Sequence, residues 1–436
     1  MAAAADILIG DVRERLRALP AGHFHCVVTS PPYWGLRDYG VTGQIGSEAT
    51  PDEFVQVMVE VFREVWRVLR DDGTLWLNLG DSYCSASGPG SSAGSTLEGS
   101  TEHQDEAKRA SYSFRRDKAD VGSVKHREAS GLKPKDLCGM PFRVALALQA
   151  DGWYWRDCII WHKPAPMPES VRDRTTKAHE YVFLLTKRPR YFYDAEAIAE
   201  PVAAATVARL AQDVDSQAGS DRVVGKTNGA MKAVASRFGE NAKSFRGGGT
   251  YTQGRSHDNG TPADRDSHGN VPNESGRRNS RSVWTIASRG YAEAHFATFP
   301  EELPRRCILA GTSAHGCCAT CGAPWERVVE RQKLTRERSN DLTKRTGEAG
   351  TGNHCGNTVA GVAVTTAGWR PTCECDGDVA PCRVLEPFCG SGTTLAVAIK
   401  HGRSAVGIEL NPAYVELARK RIAGAVQSAP LFLQDG

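Results

Sequence analysis

The 436-residue chain has no apolar run approaching the ~18 residues that a bilayer-spanning helix needs. No membrane role is expected. The opening MAAAADILIG lacks a basic segment and is interrupted by Asp6, so no signal peptide and a cytoplasmic location are expected. An excess of one charge is also missing: 54 Lys+Arg face 51 Asp+Glu, a formal net charge of +3. Global charge therefore does not force a nucleic-acid partner, which would need a local basic surface. No internal repeat is visible. Thirteen cysteines in a cytoplasmic chain argue for buried thiols and metal ligands rather than disulfides. With 40% hydrophobic residues, the chain can build one large domain with insertions, or two or three smaller ones.

Segments 6–10 (DILIG) and 25–29 (HCVVT) read as short buried strands flanking a helical VRERLRALP run. That strand–helix–strand unit predicts a parallel α/β sheet. Helical spacing over 52–70 precedes a strand-like TLWLNLG at 74–80, with Gly73 breaking the pattern. A helix at 141–152 and strands at 155–163 and 179–187 follow. A helix is expected at 300–311, and residues 383–422 read strand, Gly-rich turn, helix, strand, acidic residue, helix. Between these lie 85–130 and 201–280, rich in Ser, Gly, Asn and charge and too long for ordinary loops.

The glycines of Phe388-Cys389-Gly390-Ser391-Gly392 let a backbone pass close to a ligand, with Thr393 opening a helix. A phosphate-binding loop would require Lys after Gly392; Thr393 and Thr394 stand there instead. Glu409 ends the next strand, about where a doubly wound domain places the carboxylate that binds a ribose diol. Glu386 and Glu409 together disfavour phosphate and suit hydroxyls and a cationic sulfonium or ammonium.

Thr29-Ser30-Pro31-Pro32-Tyr33-Trp34 resembles the catalytic motif of the amino-DNA methyltransferases, and Glu386 to Thr394 is similar to that family's S-adenosylmethionine-binding motif. The catalytic motif comes first, an order that resembles the permuted β group. HFATFP (295–300) resembles the segment preceding the cofactor motif, and the likeness covers roughly 6–84, 132–194 and 282–422. It implies a circularly permuted, Rossmann-like α/β methyltransferase fold. It also implies catalytic roles for Ser30, Pro31, Pro32 and Tyr33. The implied cofactor contacts are Asp11, Thr29, Glu386, Phe388, Gly390, Gly392, Thr393 and Glu409. Asp11 could equally be a helix cap, and Phe296 and Thr298 either line the cofactor pocket or pack in the core. Glu386 stands where the family more usually has Asp. Ser at position 30 resembles the N4-cytosine enzymes; Asp or Asn is commoner in N6-adenine enzymes.

The chemistry fits these residue types. An exocyclic amino nitrogen is a poor nucleophile because its lone pair is delocalised into the ring. Acceptors at Ser30 Oγ and the Pro31 carbonyl would favour a more tetrahedral nitrogen aimed at the methyl sulfonium. Tyr33 would stack on a base flipped from the duplex, and alignment accounts for much of the rate. No cysteine nucleophile is required.

Cys318-x-x-Cys321 and Cys373-x-Cys375 supply two close thiolate pairs, the pattern of a structural tetrahedral zinc. Cys317, Cys355 and Cys382 are substitutes, free buried thiols are the alternative, and His315 and His354 are expected at the surface. Residues 201–290 hold 13 Lys/Arg against 8 Asp/Glu, a local basic excess suited to phosphate contact. Trp161, His162, Lys163 and Arg172 to Arg174 lie in a second stretch that could approach DNA.

The expected organisation is a catalytic half over 1–84 and 132–200, separated by a flexible insertion at 85–131. A target-recognition region at 201–281 and a cofactor half over 282–312 and 383–424 follow, with a zinc-ribbon-like insertion at 313–382. The expected substrate is double-stranded DNA, and a cognate restriction endonuclease is a candidate partner. Methylation of RNA or of a protein amide, and a nucleic-acid-binding protein with an inert methylase fold, remain alternatives.

Overall fold

The structure is a computed structural model that describes residues 3–35, 41, 43–84, 131–133, 135–201, 277–288, 299–336 and 358–428. The flexible insertion expected over 85–130, residues 202–276 of the expected recognition region, Phe296, Thr298, His354 and Cys355 lie outside the described residues. The chain divides into two units, one of residues 1–198, 281–326 and 369–436, the other of 199–280 and 327–368.

In the larger unit the strands are β1 (Ala5–Ile9), β2 (Phe24–Thr29), β3 (Leu69–Leu79), β4 (Tyr154–His162) and β5 (His179–Thr186). The smaller unit holds β6 (Glu200–Pro201) and β7 (Arg277–Arg278), which pair with each other. Next come β8 (Val283–Thr285), β9 (Cys317–Cys318), and β10 (Glu326–Arg336) with β11 (Thr358–Arg370), a two-stranded sheet lying mostly in the smaller unit. The last three are β12 (Val379–Ala380), β13 (Arg383–Glu386) and β14 (Ser404–Glu409). The helices are α1 (Val12–Ala18), α2 (Pro51–Val68), α3 (Met140–Ala150), α4 (Glu302–Gly311), α5 (Thr393–Lys400) and α6 (Pro412–Ser428).

Eight strands form one mixed sheet in the order β1-β14-β13-β2-β3-β5-β4-β8. The first five are mutually parallel; β5 runs antiparallel to β3 and β4. The uniformly parallel sheet expected from sequence is thus corrected at β5. The segment at 6–10 is likewise not fully buried: β1 is an edge strand paired only with β14, and Ile9 is 40% exposed.

Alternation along the strands feeds two cores. Val27, Leu75, Leu77, Phe183 and Leu385 pack with Leu16, Phe54, Met58, Phe62 and Val144 of α1, α2 and α3. Cys26, Val28, Trp76, Leu184 and Val384 pack with Cys307, Ile308, Leu395 and Ala418 of α4, α5 and α6. With helices on both faces, β2 is buried along its whole length, as a central parallel strand should be. Local chemistry sets the boundaries. Thr50 and Glu53 form a reciprocal capping box at the start of α2, with Pro51 in its first turn. The helix stops at Val68, and β3 runs on through Gly73, where an added Cβ would lie 2.6 Å from Leu69 and 3.0 Å from the His25 carbonyl oxygen.

Candidate active site

Parallel strands deliver their C-terminal ends to one edge of a sheet, and ligands of open α/β sheets bind there. Along that edge stand Asp11 after β1, Glu409 closing β14, Glu386 closing β13, and Thr29-Ser30 closing β2. A cavity of about 800 Å3 opens there, a size that suits a drug-sized ligand. Its lining brings together Asp11, Ser30, Pro31, Pro32, Tyr33, Phe388, Gly390, Thr393 and Glu409, which lie far apart in sequence.

The turn after β13 is held from beneath. Glu386 is fully buried and does not line the cavity; it accepts the Phe388 N–H at 3.2 Å and the Thr394 hydroxyl at 2.8 Å. Burial pushes its carboxyl up to about 8, against the pull of the Thr29 and Thr394 hydroxyls. Thr29 is buried beside it, and Gly392 caps α5 against Ala418; neither lines the cavity. Gly390 differs: at φ +53°, a Cβ there would meet nothing within 4 Å. Its N–H donates to Glu409 Oε2 at 2.7 Å, and the Asn411 N–H donates to Oε1 at 2.8 Å. Burial raises the Glu409 carboxyl as well. Asp11 accepts the Arg13 N–H at 2.8 Å as the cap of α1, and it also lines the cavity.

The Ser30 loop carries a polar network. The Ser30 hydroxyl donates to Tyr33 Oη at 3.3 Å, and the Tyr33 hydroxyl donates to Glu180 Oε2 at 2.8 Å. Asn78 donates to the same Glu180 oxygen and to the Tyr181 carbonyl, and Lys163 pairs with Glu180 while lying 4.4 Å above the Trp161 ring. Gly80 packs on the tyrosine ring so closely that a Cβ there would fall 2.6 Å from Cε2. Asp81 accepts the N–H groups of Gly139 and Met140, and its carbonyl receives Lys177. Sequence reasoning missed Glu180, Asn78, Asp81 and Lys177. Because β5 is antiparallel, its first residues His179 and Glu180 reach the ligand edge, where a parallel sheet would place only strand C-termini. The polar run Asn78 to Asp81 closing an apolar strand was a signal that could have been read.

One consequence concerns pH. The fold prefers the neutral form of Glu386, so that stabilisation is complete below the ordinary carboxyl range and is lost as pH rises through about 8. Glu386→Gln is expected to keep the Phe388 bond, to reverse the Thr394 bond so that the amide donates, and to flatten the fall in Tm between about pH 5 and 8 by several degrees. Parallel Tm–pH curves for the two proteins would refute this.

Cys318, Cys321, Cys373 and Cys375 bring their four sulfurs within 4.8 Å of one another, so this set can hold a tetrahedral ion. His25, Cys317 and Cys382 form a second, fully buried group. The twelve described cysteines are all free. The knuckle belongs to the larger unit, so only 327–368 of the insertion expected at 313–382 separates from it. His315 is exposed, stacked on Trp369.

The model of the N6_N4_Mtase family, described as DNA methylase, matches residues 24–318 and 383–420. The chain belongs to the N6/N4 DNA methylase family. Type II methyltransferase M.SmaI of Serratia marcescens is 34% identical over 416 residues, spanning 95% of this chain and 90% of its own. Type II methyltransferase M.Cfr9I of Citrobacter freundii is 33% identical over 420 residues, spanning 96% and 88%. Among solved structures, PvuII DNA methyltransferase (cytosine-N4-specific) aligns over 98% of this chain and 93% of its own, at 13% identity and a TM-score of 0.47. As an N6/N4 DNA methylase, the protein is an S-adenosylmethionine-dependent amino-DNA methyltransferase of the restriction–modification type. The methylase cavity fits that donor: Gly390 faces it without a Cβ, and Asp11 and Glu409 bring carboxylates to its wall, held by Arg13 and by the Gly390 and Asn411 N–H groups. Among the described residues, no helix is long and apolar enough to cross a membrane.

Proposed function

We propose that the protein methylates the N4 amino group of cytosine in double-stranded DNA at a specific sequence, with the target base flipped into the cavity beside Ser30. One observation carries this reading: Ser30 and the Gly390–Glu409 turn line the same cavity. S-adenosylmethionine, held by Asp11, Phe388, Gly390, Thr393 and Glu409, supplies an electrophilic methyl group. Ser30 spends its hydroxyl hydrogen on Tyr33, which leaves its lone pairs for an amino N–H. The Pro31 carbonyl is the second acceptor, and Pro31-Pro32 stiffens the loop. Tyr33 is anchored through its hydroxyl and offers its ring to the base. A neutral serine suffices for cytosine's amino group, which favours N4-cytosine over N6-adenine.

The order of the halves, with β2 and its loop preceding β13 and its turn, supports assignment to the permuted β group. Residues 201–281 are proposed to recognise the target, on the strength of their basic composition. Zinc is proposed at Cys318, Cys321, Cys373 and Cys375. A cognate endonuclease is the proposed partner, and the cytoplasm the proposed location.

The test is direct. Incubation with labelled S-adenosylmethionine and duplex DNA, followed by digestion to nucleosides, is expected to yield N4-methylcytosine. N6-methyladenine would overturn the choice of base, and label confined to RNA or protein would overturn the choice of substrate.

A further inference from the structure

The central seam of the sheet is short. The N-terminal and C-terminal halves of the chain meet at β1–β14, over five register pairs, and at β2–β13, where only Cys26↔Val384 and Val27↔Leu385 are in register. The next hydrogen bond toward the strand starts is made by a side chain. His25, 3% exposed, accepts the Arg383 N–H through Nδ1 at 3.0 Å. That leaves the proton on Nε2, which donates to the Gly322 carbonyl at 2.8 Å. Gly322 follows directly on Cys321, turns at φ +71° and donates its own N–H to the Cys318 carbonyl at 2.8 Å. The Cys321 carbonyl accepts Arg70 Nη1 at 3.0 Å, and Arg70 begins β3 as a bidentate partner of Asp72. The knuckle is thus bonded directly to β2 and β3, and through His25 to β13. With both ring nitrogens engaged, His25 is a bridge between backbones, not a ligand for an ion beside Cys317 and Cys382.

We infer that His25 is a positioning residue that couples an ion held by Cys318, Cys321, Cys373 and Cys375 to the β2–β13 seam, and through that seam to cofactor binding. This rests on the zinc reading above. The clasp lies at the N-terminal ends of these strands and the cavity at their C-terminal ends. Residues 26–29 of β2 lie between His25 and Ser30, about 17 Å of strand, so the ion touches neither cofactor nor base. It orders the loop that fixes the Gly322 carbonyl, and His25 transfers that order to Arg383, the first residue of the strand leading into the cofactor turn. A loosened seam lets the turn after β13 and the loop after β2 move independently, and a cofactor bound mainly to the first is held less well. The coupling is reciprocal, so bound cofactor also tightens the ion's binding by the same factor.

The experiment uses the full chain. Cobalt is bound in place of zinc and read by its thiolate charge-transfer absorption; a chelator then strips the metal, and S-adenosylhomocysteine affinity is measured by calorimetry before and after. For the unaltered protein, stripping is expected to weaken affinity about tenfold. His25→Asn retains an acceptor for Arg383 without reaching Gly322, and His25→Gln retains a donor for Gly322 without the acceptor. Both are expected to bind cobalt normally and to lose less than twofold affinity on stripping. Equal losses in all three proteins, or no loss in the unaltered one, would overturn the coupling and leave the metal site standing. Failure of the unaltered protein to take up cobalt or zinc would overturn both. If stripping unfolds the protein, the metal-dependent rise in Tm replaces affinity as the readout. It should be at least halved in whichever variant folds, and an undiminished rise refutes the coupling.

Discussion

Replacing Ser30 by alanine is expected to slow methyl transfer about 100-fold or more while leaving S-adenosylmethionine affinity within twofold. Ser30 Oγ stands at the tip of β2 as the proposed side-chain acceptor, its own hydrogen committed to Tyr33. Without that oxygen the amino group keeps the Pro31 carbonyl alone, and the nitrogen lone pair is no longer steered toward the methyl group. Misplacement on the scale of an ångström suffices for a loss of this size. The cofactor is proposed to be held mainly by the turn after β13 and by Asp11, which line the cavity apart from Ser30, so binding should survive. Single-turnover rates with saturating DNA, beside calorimetric cofactor affinity, separate the two effects. A rate within threefold of the unaltered protein would remove Ser30 from the chemistry.

Gly392→Val should fail at the other step. Gly392 has φ +76° at the cap of α5, and a Cβ there would lie 2.8 Å from Ala418 Cβ and 3.0 Å from its Cα. Ala418 is fully buried on α6, so backbone must move. Left-handed strain costs about 1–2 kcal/mol and overpacking about 1–3 kcal/mol. The turn carrying Gly390 is displaced with the helix, and cofactor affinity should fall at least tenfold. Gly390→Ala provides the contrast: its Cβ meets open space, so at φ +53° only the left-handed strain remains, and Tm should drop less than in Gly392→Val while affinity still falls. Calorimetry and thermal melts on both variants decide the matter. Unchanged affinity in Gly392→Val would show that α5 and α6 tolerate the wedge.

Much of the fold was legible because local signals agreed with global ones. The apolar runs of β2 and β3, the capped amphipathic α2 and the glycine turn before α5 all occur where periodicity places them. The direction of β5 was not legible, because strand polarity depends on tertiary pairing and leaves no mark on an apolar run. That single reversal hid Glu180. The role of Glu386 was equally hidden: sequence marks an acidic residue beside glycines but cannot say that it faces inward, beneath the turn. His25 read only as the start of a strand, since its two partners, Gly322 and Arg383, lie some 300 and 360 residues away.

The seating of β13 and β14 between β1 and β2 has a consequence for synthesis on the ribosome. At 5–20 residues per second, roughly 20–70 s pass between translation of Ser30 and translation of Gly390. Throughout that interval β2 lacks its inner neighbour and the methyl-donor site does not exist. A nascent or truncated chain can therefore display Ser30-Pro31-Pro32-Tyr33 before the proposed donor site exists beside it. On that reading modification waits until β13 and β14 have been made and have inserted between β1 and β2.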